Sequence, residues 1–295
     1  MNTKNILAHL ALLAVALIYA GNYSIAKLVL DDHYILPKGF IVIRACSGLL
    51  LFALFHLLFI REKVERKDLL TLAACGLFGV AINQMFFFMG LKLTNPINAS
   101  LIMLTSPMVV IILSALILKS KIHYQTILGI IIGALGAVML ITNGKFQFET
   151  NDQLWGDIMI FINASSYAVY LVIVKKLMKK YNPLTIVKWV FLFGFLFVLP
   201  FGYGDLQQID TATFSPTIWY SIAYVLLGTT FLTYFLNAQA LNIVNPSTVS
   251  IYIYLQPLFA TIIAILMGSA ELNSTKIWAG IIIISGLILA SIKKS

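Results

Sequence analysis

Hydrophobic residues along this chain fall in long runs, and polar positions collect in short stretches between them. The runs are about twenty residues long, enough to cross roughly 30 Å of hydrocarbon at about 1.5 Å per residue. Bounded by charge, proline or glycine clusters, they predict helices at Ile6–Leu30, Lys38–Ile60, Leu69–Leu91, Pro96–Leu118 and His123–Thr142. A second set follows at Trp155–Leu177, Pro183–Tyr203, Pro216–Asn237, Asn245–Gly268 and Ser274–Ile292. The expected fold class is an all-α integral membrane protein with ten transmembrane helices. Lys4 and the small residues Ala14 and Ala16 resemble a cleaved leader, but apolar character persists to Leu30, so the first run reads as a retained helix.

Composition removes the soluble alternatives. Of 295 residues, 60% are hydrophobic and 11% charged, with a mean hydropathy of +0.95, whereas a soluble domain carries about 25% charged residues. A net charge of +9 would suit nucleic acid only if the basic residues shared one exposed face; here they sit in short loops, so no nucleic-acid partner is expected. The loops sort by sign of the positive-inside rule. Lys4, Arg61, Lys63, Arg66, Lys67, Lys119, Lys121, Lys175, Lys176, Lys179, Lys180, Lys293 and Lys294 fall on one side, against Lys38, Lys92, Lys145 and Lys276 on the other. This places both termini in the cytoplasm of a multi-pass protein of the cell (inner) membrane. Cys46 and Cys75 lie within apolar runs and read as buried thiols, so neither a disulfide nor a metal site is expected, and no cofactor.

The two halves resemble each other. A shift of 150 positions brings Leu91 onto Leu241, Asn95-Pro96 onto Asn245-Pro246, Ser100 onto Ser250 and Pro107 onto Pro257. Tyr19-Ala20 and Lys27 fall on Tyr167-Ala168 and Lys175 at a slightly different shift. Residues 1–145 and 154–295 are thus read as two five-helix repeats joined by a loop at 146–153. Five is odd, so the halves would enter the membrane from opposite sides, the inverted-repeat arrangement of many transporters.

Several features carry a family likeness: the paired Asn-Pro entries, Pro107 and Pro257 in mid-helix, Arg44 in the second helix, and the stretch from Glu271 to Gly280. On these the chain resembles the EamA-type ten-helix members of the drug/metabolite transporter superfamily over almost its whole length. The resemblance implies an inverted five-plus-five bundle that exports or exchanges amino acids, metabolites or amphipathic compounds through a central cavity. One departure is Ser120, which stands between Lys119 and Lys121 where the family pattern puts a Glu to match Glu271.

Polar residues near the middle of the spans mark the candidate pathway. They are Asn83, Gln84, Thr230, Tyr234, Tyr252 and Gln256, with Phe87, Tyr19 and Tyr167 as further walls or hydroxyl donors. An amide unpaired in hydrocarbon costs several kcal/mol, so each should face a neighbouring helix or a wet cavity. As a set they outline a neutral, aromatic-rich cavity for a small-molecule substrate, although interhelical packing would use the same groups. Pro107 and Pro257 each remove a backbone hydrogen bond, freeing carbonyls at Met103 and Ile253, and read as gating kinks or plain packing kinks. Arg44 is weighed evenly between a gating role and snorkelling, while Lys27 and Lys188 read as snorkelling.

All eleven acidic residues fall in loops or at helix ends. With no carboxylate at midplane, alternating access by facilitated diffusion or exchange is expected, with proton-coupled multidrug-type efflux as the alternative. His9 and His56 read as interfacial or structural. Gly129, Gly133 and Gly136, with Gly280 and Gly286, suit close helix packing, the simpler reading, or a homodimer contact. An intramembrane enzyme would need a nucleophile, metal ligands or paired acids, and the sequence carries none of the corresponding motifs, so catalysis is not expected.

Overall fold

The computed structural model describes residues 3–31, 34–94, 99, 102–119, 121, 123–142, 151–266 and 274–291, and these are overwhelmingly helical. In chain order the apolar helices are α1 (Thr3–Asp31), α2 (Pro37–Phe59), α3 (Arg66–Leu93), α4 (Ser106–Leu118), α5 (Tyr124–Thr142), α6 (Asn151–Leu177), α7 (Pro183–Leu206), α8 (Pro216–Ile243), α9 (Pro246–Ile263) and α10 (Ser274–Ser291). Among the described residues, seven contain stretches long and apolar enough to cross a membrane, while α4, α5 and α10 contribute shorter ones. Three helices change pitch on the way. α3 contains a π-helical segment at Leu77–Ile82, α8 another at Tyr224–Leu232, and α9 tightens into a 3-10 turn at Tyr252–Tyr254.

Several boundaries shift by a few residues from the sequence expectation, the expected fourth helix is interrupted at 104–105 and restarts at Ser106, and two further differences have a clear cause. α6 begins at Asn151, so residues 151–153 belong to its first turn and not to a connecting loop; Asp152 there places a carboxylate beside the positive end of the helix dipole. α8 runs on to Ile243 instead of stopping at Asn237, because nothing before Asn245-Pro246 interrupts it. Asn95-Pro96, Ser100, Ser120, Lys145, Glu271, residues 146–150 and the side chain of Lys27 lie outside the described residues.

The bundle has two unlike ends. At one end Lys121, Lys175, Lys176 and Lys179 surround the start of α1 and the junction of α8 with α9. Lys175 donates from Nζ to the carbonyls of Leu241 and Val244, closing the C-terminus of α8. Nearby, Lys180 bridges Glu65 at 2.7 Å and Asp68 at 2.5 Å, and the Tyr181 hydroxyl donates to Asp68 at 2.6 Å. At the other end Thr94 donates to Asp157 at 2.5 Å, and the Gly39 N–H donates to Asp205 at 3.3 Å. The exposed rings of Trp155, Tyr203, Trp219, Tyr220 and Trp278 all sit at this end of their helices, as an aromatic belt at a membrane surface would. α1 therefore starts at the basic end and α6 at the aromatic one.

Packing follows the repeat. α1 lies against α8 and α9, and α6 lies against α3 and α4, while α2 packs on α7 and α5 on α10. Positions related by the 150-residue shift touch directly. Gln84 Nε2 donates to the Tyr234 hydroxyl at 3.3 Å, and the Tyr254 hydroxyl donates to the Leu104 carbonyl at 3.3 Å. Such self-facing pairs are what a two-fold relation between halves produces along its axis.

The α5–α10 seam is closed by glycine. A Cβ on Gly286 would fall 2.4 Å from the Gly133 nitrogen and 2.7 Å from the Gly129 carbonyl oxygen, and one on Gly136 would fall 2.9 Å from the Ile283 nitrogen. These are backbone atoms, so a substituent forces the helices apart. Gly280, by contrast, would meet only the Leu258 side chain at 3.3 Å. Gly286→Val should therefore lower the thermal midpoint of the detergent-purified protein by a margin equivalent to about 2 kcal/mol or more, while Gly280→Ala leaves it nearly unchanged.

The ionic cluster has a defined pH range. Hydrogen bonds from Lys180 and Lys67 hold Glu65 below the usual carboxylate range, those from Lys180 and Tyr181 do the same for Asp68, and both acids raise Lys180. Depressed carboxylates add stability above their unfolded pKa, near about 4, and lose it as pH falls through the lower folded value. Asp68→Asn should lower the melting midpoint at pH 7, and the difference from wild type should shrink as pH is taken from 5 towards 2.

Candidate functional site

The π-helical segments build the centre of the molecule. In a π turn the i→i+5 pattern leaves carbonyls without their ordinary helical partner, and such segments recur at functional sites. In α3, carbonyls within and just after this segment accept hydrogen bonds from other helices. Ser166 of α6 donates to Phe78 O at 2.6 Å, Tyr234 of α8 donates to Gly79 O at 2.7 Å, and Asn163 Nδ2 donates to Asn83 O at 2.6 Å. Asn83 Nδ2 returns a bond to Asn163 O at 3.3 Å, so α3 and α6 hold each other reciprocally.

In α8 the carbonyl of Val225 accepts the hydroxyls of Thr229 at 3.0 Å and Thr230 at 2.8 Å. With its hydrogen committed there, Thr230 Oγ1 accepts from Arg44 Nε at 2.9 Å. The guanidinium also lies over the Phe88 ring, 4.9 Å from its centroid. Arg44 stands seven residues after Pro37, about 10 Å into α2 at 1.5 Å per residue. It turns inward instead of snorkelling, and Lys188 stays near an end, 3.4 Å from His56 Nδ1 and over Trp189.

Between these helices lies a cavity of about 90 Å³. Of the residues singled out in the sequence, Tyr19, Arg44, Asn83, Gln84, Phe87, Tyr167, Tyr234, Tyr252 and Gln256 line it. Thr230 does not reach the wall; fully buried, it acts behind it on Arg44. Because Arg44 does reach it, the expected neutral cavity is corrected to one that carries a cation. Among the described residues no carboxylate lines this space.

Pro107 and Pro257 stand away from the wall. The expected mid-helix kinks are short breaks: Pro107 lies in the first turn of α4, after a tight turn in which the Thr105 N–H reaches Ile102 O at 3.0 Å, and Pro257 follows the 3-10 turn of α9. The residue before proline disfavours helical geometry, and the chain answers by tightening and restarting. The Leu104 carbonyl, one residue from the predicted Met103, receives the Tyr254 hydroxyl.

Sequence reasoning missed Asn22, Asn163 and Asn237, which also line the cavity. The signal was available: each is an amide inside an apolar run, subject to the same cost that singled out Asn83 and Gln84. A second cavity of about 890 Å³ lies at the basic end, between Lys121, His123, Lys176, Lys179 and His9. Tyr252 belongs to both walls, and its hydroxyl lies 2.6 Å from His9 Nδ1. A wide basic vestibule thus meets the small central cavity at one tyrosine.

Apolar helices in this number, packed around a polar centre, define a multi-pass membrane protein. The chain belongs to the EamA-like transporter family, whose pattern matches residues 6–142 and again residues 154–292. It is 26% identical to a protein named an uncharacterized transporter from Archaeoglobus fulgidus, across all of this chain and 99% of that one. The uncharacterized transporter YyaM of Bacillus subtilis is 24% identical over 98% of this chain and 94% of its own. The uncharacterized inner membrane transporter YicL of Salmonella typhimurium is 22% identical over 96% and 94%. A crystal structure superimposes with a TM-score of 0.77 over 96% of this chain and 98% of that chain at 17% identity, a likeness of fold.

The Tyr234 hydroxyl of α8 makes two hydrogen bonds to α3 at once. Tyr234→Phe leaves Gly79 O and Gln84 Nε2 without their bonds and should destabilise the protein by about 1–2 kcal/mol. Reversible unfolding in mixed micelles measures this.

Proposed function

We propose that this chain carries a small metabolite, such as an amino acid or an amphipathic compound, by alternating access through the central cavity. In this reading the seven longer and three shorter apolar helices are ten membrane spans, arranged as two inverted repeats at 1–145 and 154–295. The basic vestibule faces the cytoplasm, with both termini, in the cell (inner) membrane. The observation that carries the proposal is the makeup of the cavity wall: α1, α2 and α3 supply Tyr19, Arg44 and Gln84, and α6, α8 and α9 supply Tyr167, Tyr234 and Gln256. A site shared between repeats changes exposure when one repeat rocks against the other. The self-facing contacts of Gln84 with Tyr234 and of Tyr254 with Leu104 supply the pivot line for such rocking.

The solute exchanges or moves down its gradient, because the groups at the cavity are amides, phenols and one guanidinium, and proton coupling commonly uses an intramembrane carboxylate. No chemistry on the solute is involved. Counterflow in sealed proteoliposomes preloaded with mixed amino acids should exchange label for unlabelled solute. An imposed pH gradient alone should give no accumulation above equilibrium; uphill accumulation under that gradient would overturn the exchange mechanism.

A further inference from the structure

We propose that the basic vestibule is a binding site for an anionic phospholipid: its lysines hold the phosphate headgroup, and the acyl chains lie along the exposed isoleucine stripe of α10. The site lies outside the central cavity, and the proposal stands whether or not the chain carries a solute.

Four lysines converge on this hollow of about 890 Å³, Lys121 before α5 and Lys175, Lys176 and Lys179 at the end of α6, with His123 beside them. Among the described residues no carboxylate lines it. The described acids of this end stand elsewhere and are already taken. Glu65 is bound by Lys67 and Lys180, Asp68 by Lys180, and Glu62 by the Asn182 N–H at 3.0 Å. The neighbours Lys179 and Lys180 thus serve different places, one the hollow and the other the acidic cluster. Sorting of loops across a membrane requires only that basic residues lie on this side. It does not require them to gather in one concave space from which the acids are withdrawn. Like charges so gathered repel, and a bound anion relieves that repulsion. Lys175 is tied to the Leu241 and Val244 carbonyls, so the exposed Lys121, Lys176 and Lys179 are the ones that reach a ligand.

The rest of the wall decides between a lipid and a free anion. Leu118, Leu287 and Ile288 line the same hollow. Ile288 is 57% exposed and continues a stripe through Ile284, Ile281 and Ile277, at 46%, 48% and 49%, spaced as one face of a helix. Ala279, Ile283 and Ala290 on the opposite face are buried in the bundle. The stripe therefore leads from the rim of the hollow into the hydrocarbon layer.

These two surfaces select the occupant. A phosphate ion would meet the lysines and leave the apolar wall facing water, whereas a choline lipid would bring its own cation among four others. An anionic headgroup on two acyl chains satisfies both surfaces, and basic pockets between membrane helices take such headgroups.

The test uses the full-length protein in neutral detergent. Its thermal midpoint is followed against the concentration of dioleoyl phosphatidylglycerol, of dioleoyl phosphatidylcholine, and of glycerol phosphate, which carries the headgroup chemistry without tails; apparent affinities come from the shifts. A lysine near a membrane surface strengthens binding of an anionic lipid roughly fivefold, so phosphatidylglycerol should bind about 100-fold more tightly than phosphatidylcholine. Glycerol phosphate should shift the midpoint far less at matched concentration. Lys121→Gln/Lys176→Gln/Lys179→Gln should bring the two lipids within a few-fold of each other without lowering the lipid-free midpoint, because these side chains are exposed. The same charge removed beside the acidic cluster, by Arg61→Gln/Lys63→Gln/Arg66→Gln, should leave the preference intact. Should the first triple variant fail to fold, Lys179→Gln alone should cost about fivefold in phosphatidylglycerol affinity. Equal binding of the two lipids, an equal shift from glycerol phosphate, an unchanged preference in the lysine variants, or the same loss in both triple variants overturns the proposal.

Discussion

The architecture depends on one requirement: in hydrocarbon, a backbone carbonyl released from its helix must find a partner within the protein. At the π-helical segments of α3 and α8, backbone carbonyls accept side-chain hydrogen bonds, from facing helices in α3 and from within the helix itself in α8. Ser166, Tyr234 and Asn163 answer α3, and Thr229 and Thr230 answer α8. Each of these side chains is then committed, and the commitment fixes what it offers next. Thr230 can only accept from Arg44, and the Tyr234 oxygen can only accept from Gln84. The polar face of the cavity is thus a by-product of backbone accounting one shell further out.

The surrounding bundle separates rigid from adaptable contacts. Where α5 meets α10, glycines bring backbone against backbone, and α2 meets α7 with Gly48 beneath the Phe191 ring. At the centre the contacts are made by long side chains, whose hydrogen bonds tolerate small changes of geometry. Tyr252 sits between the central cavity and the basic vestibule, held by His9 across 2.6 Å. That one ring forms part of both walls.

Much of this was legible in the residues, and the reasons for the exceptions are physical. Helix positions followed from the length of apolar runs, since a bilayer leaves few alternatives. The amides Asn83, Gln84 and Gln256 were found because their burial is expensive, and Asn22 and Asn163 could have been found by the same reasoning. The π-helical segments left no mark: Leu77–Ile82 and Tyr224–Leu232 read as ordinary apolar helix, and their pitch is set by tertiary partners. For Arg44, sequence position alone could not decide between a stem stretched to the surface and one turned inward. Thr230 and Phe88, distant in sequence, decide it. The prolines were visible, but whether a helix bends or breaks there is fixed by the turn before them.

The bond between Gln84 and Tyr234 has a consequence for why both halves share one polypeptide. In an assembly of two identical subunits, a residue on the symmetry axis confronts its own copy, so a complementary match between unlike groups is impossible there. Covalent linkage lifts that restriction, since each of the two positions is encoded separately. An amide can then answer a phenol between repeat-related positions, and the guanidinium of Arg44 can stand in the cavity wall without a duplicate from the other half, where the shifted position is Gly194.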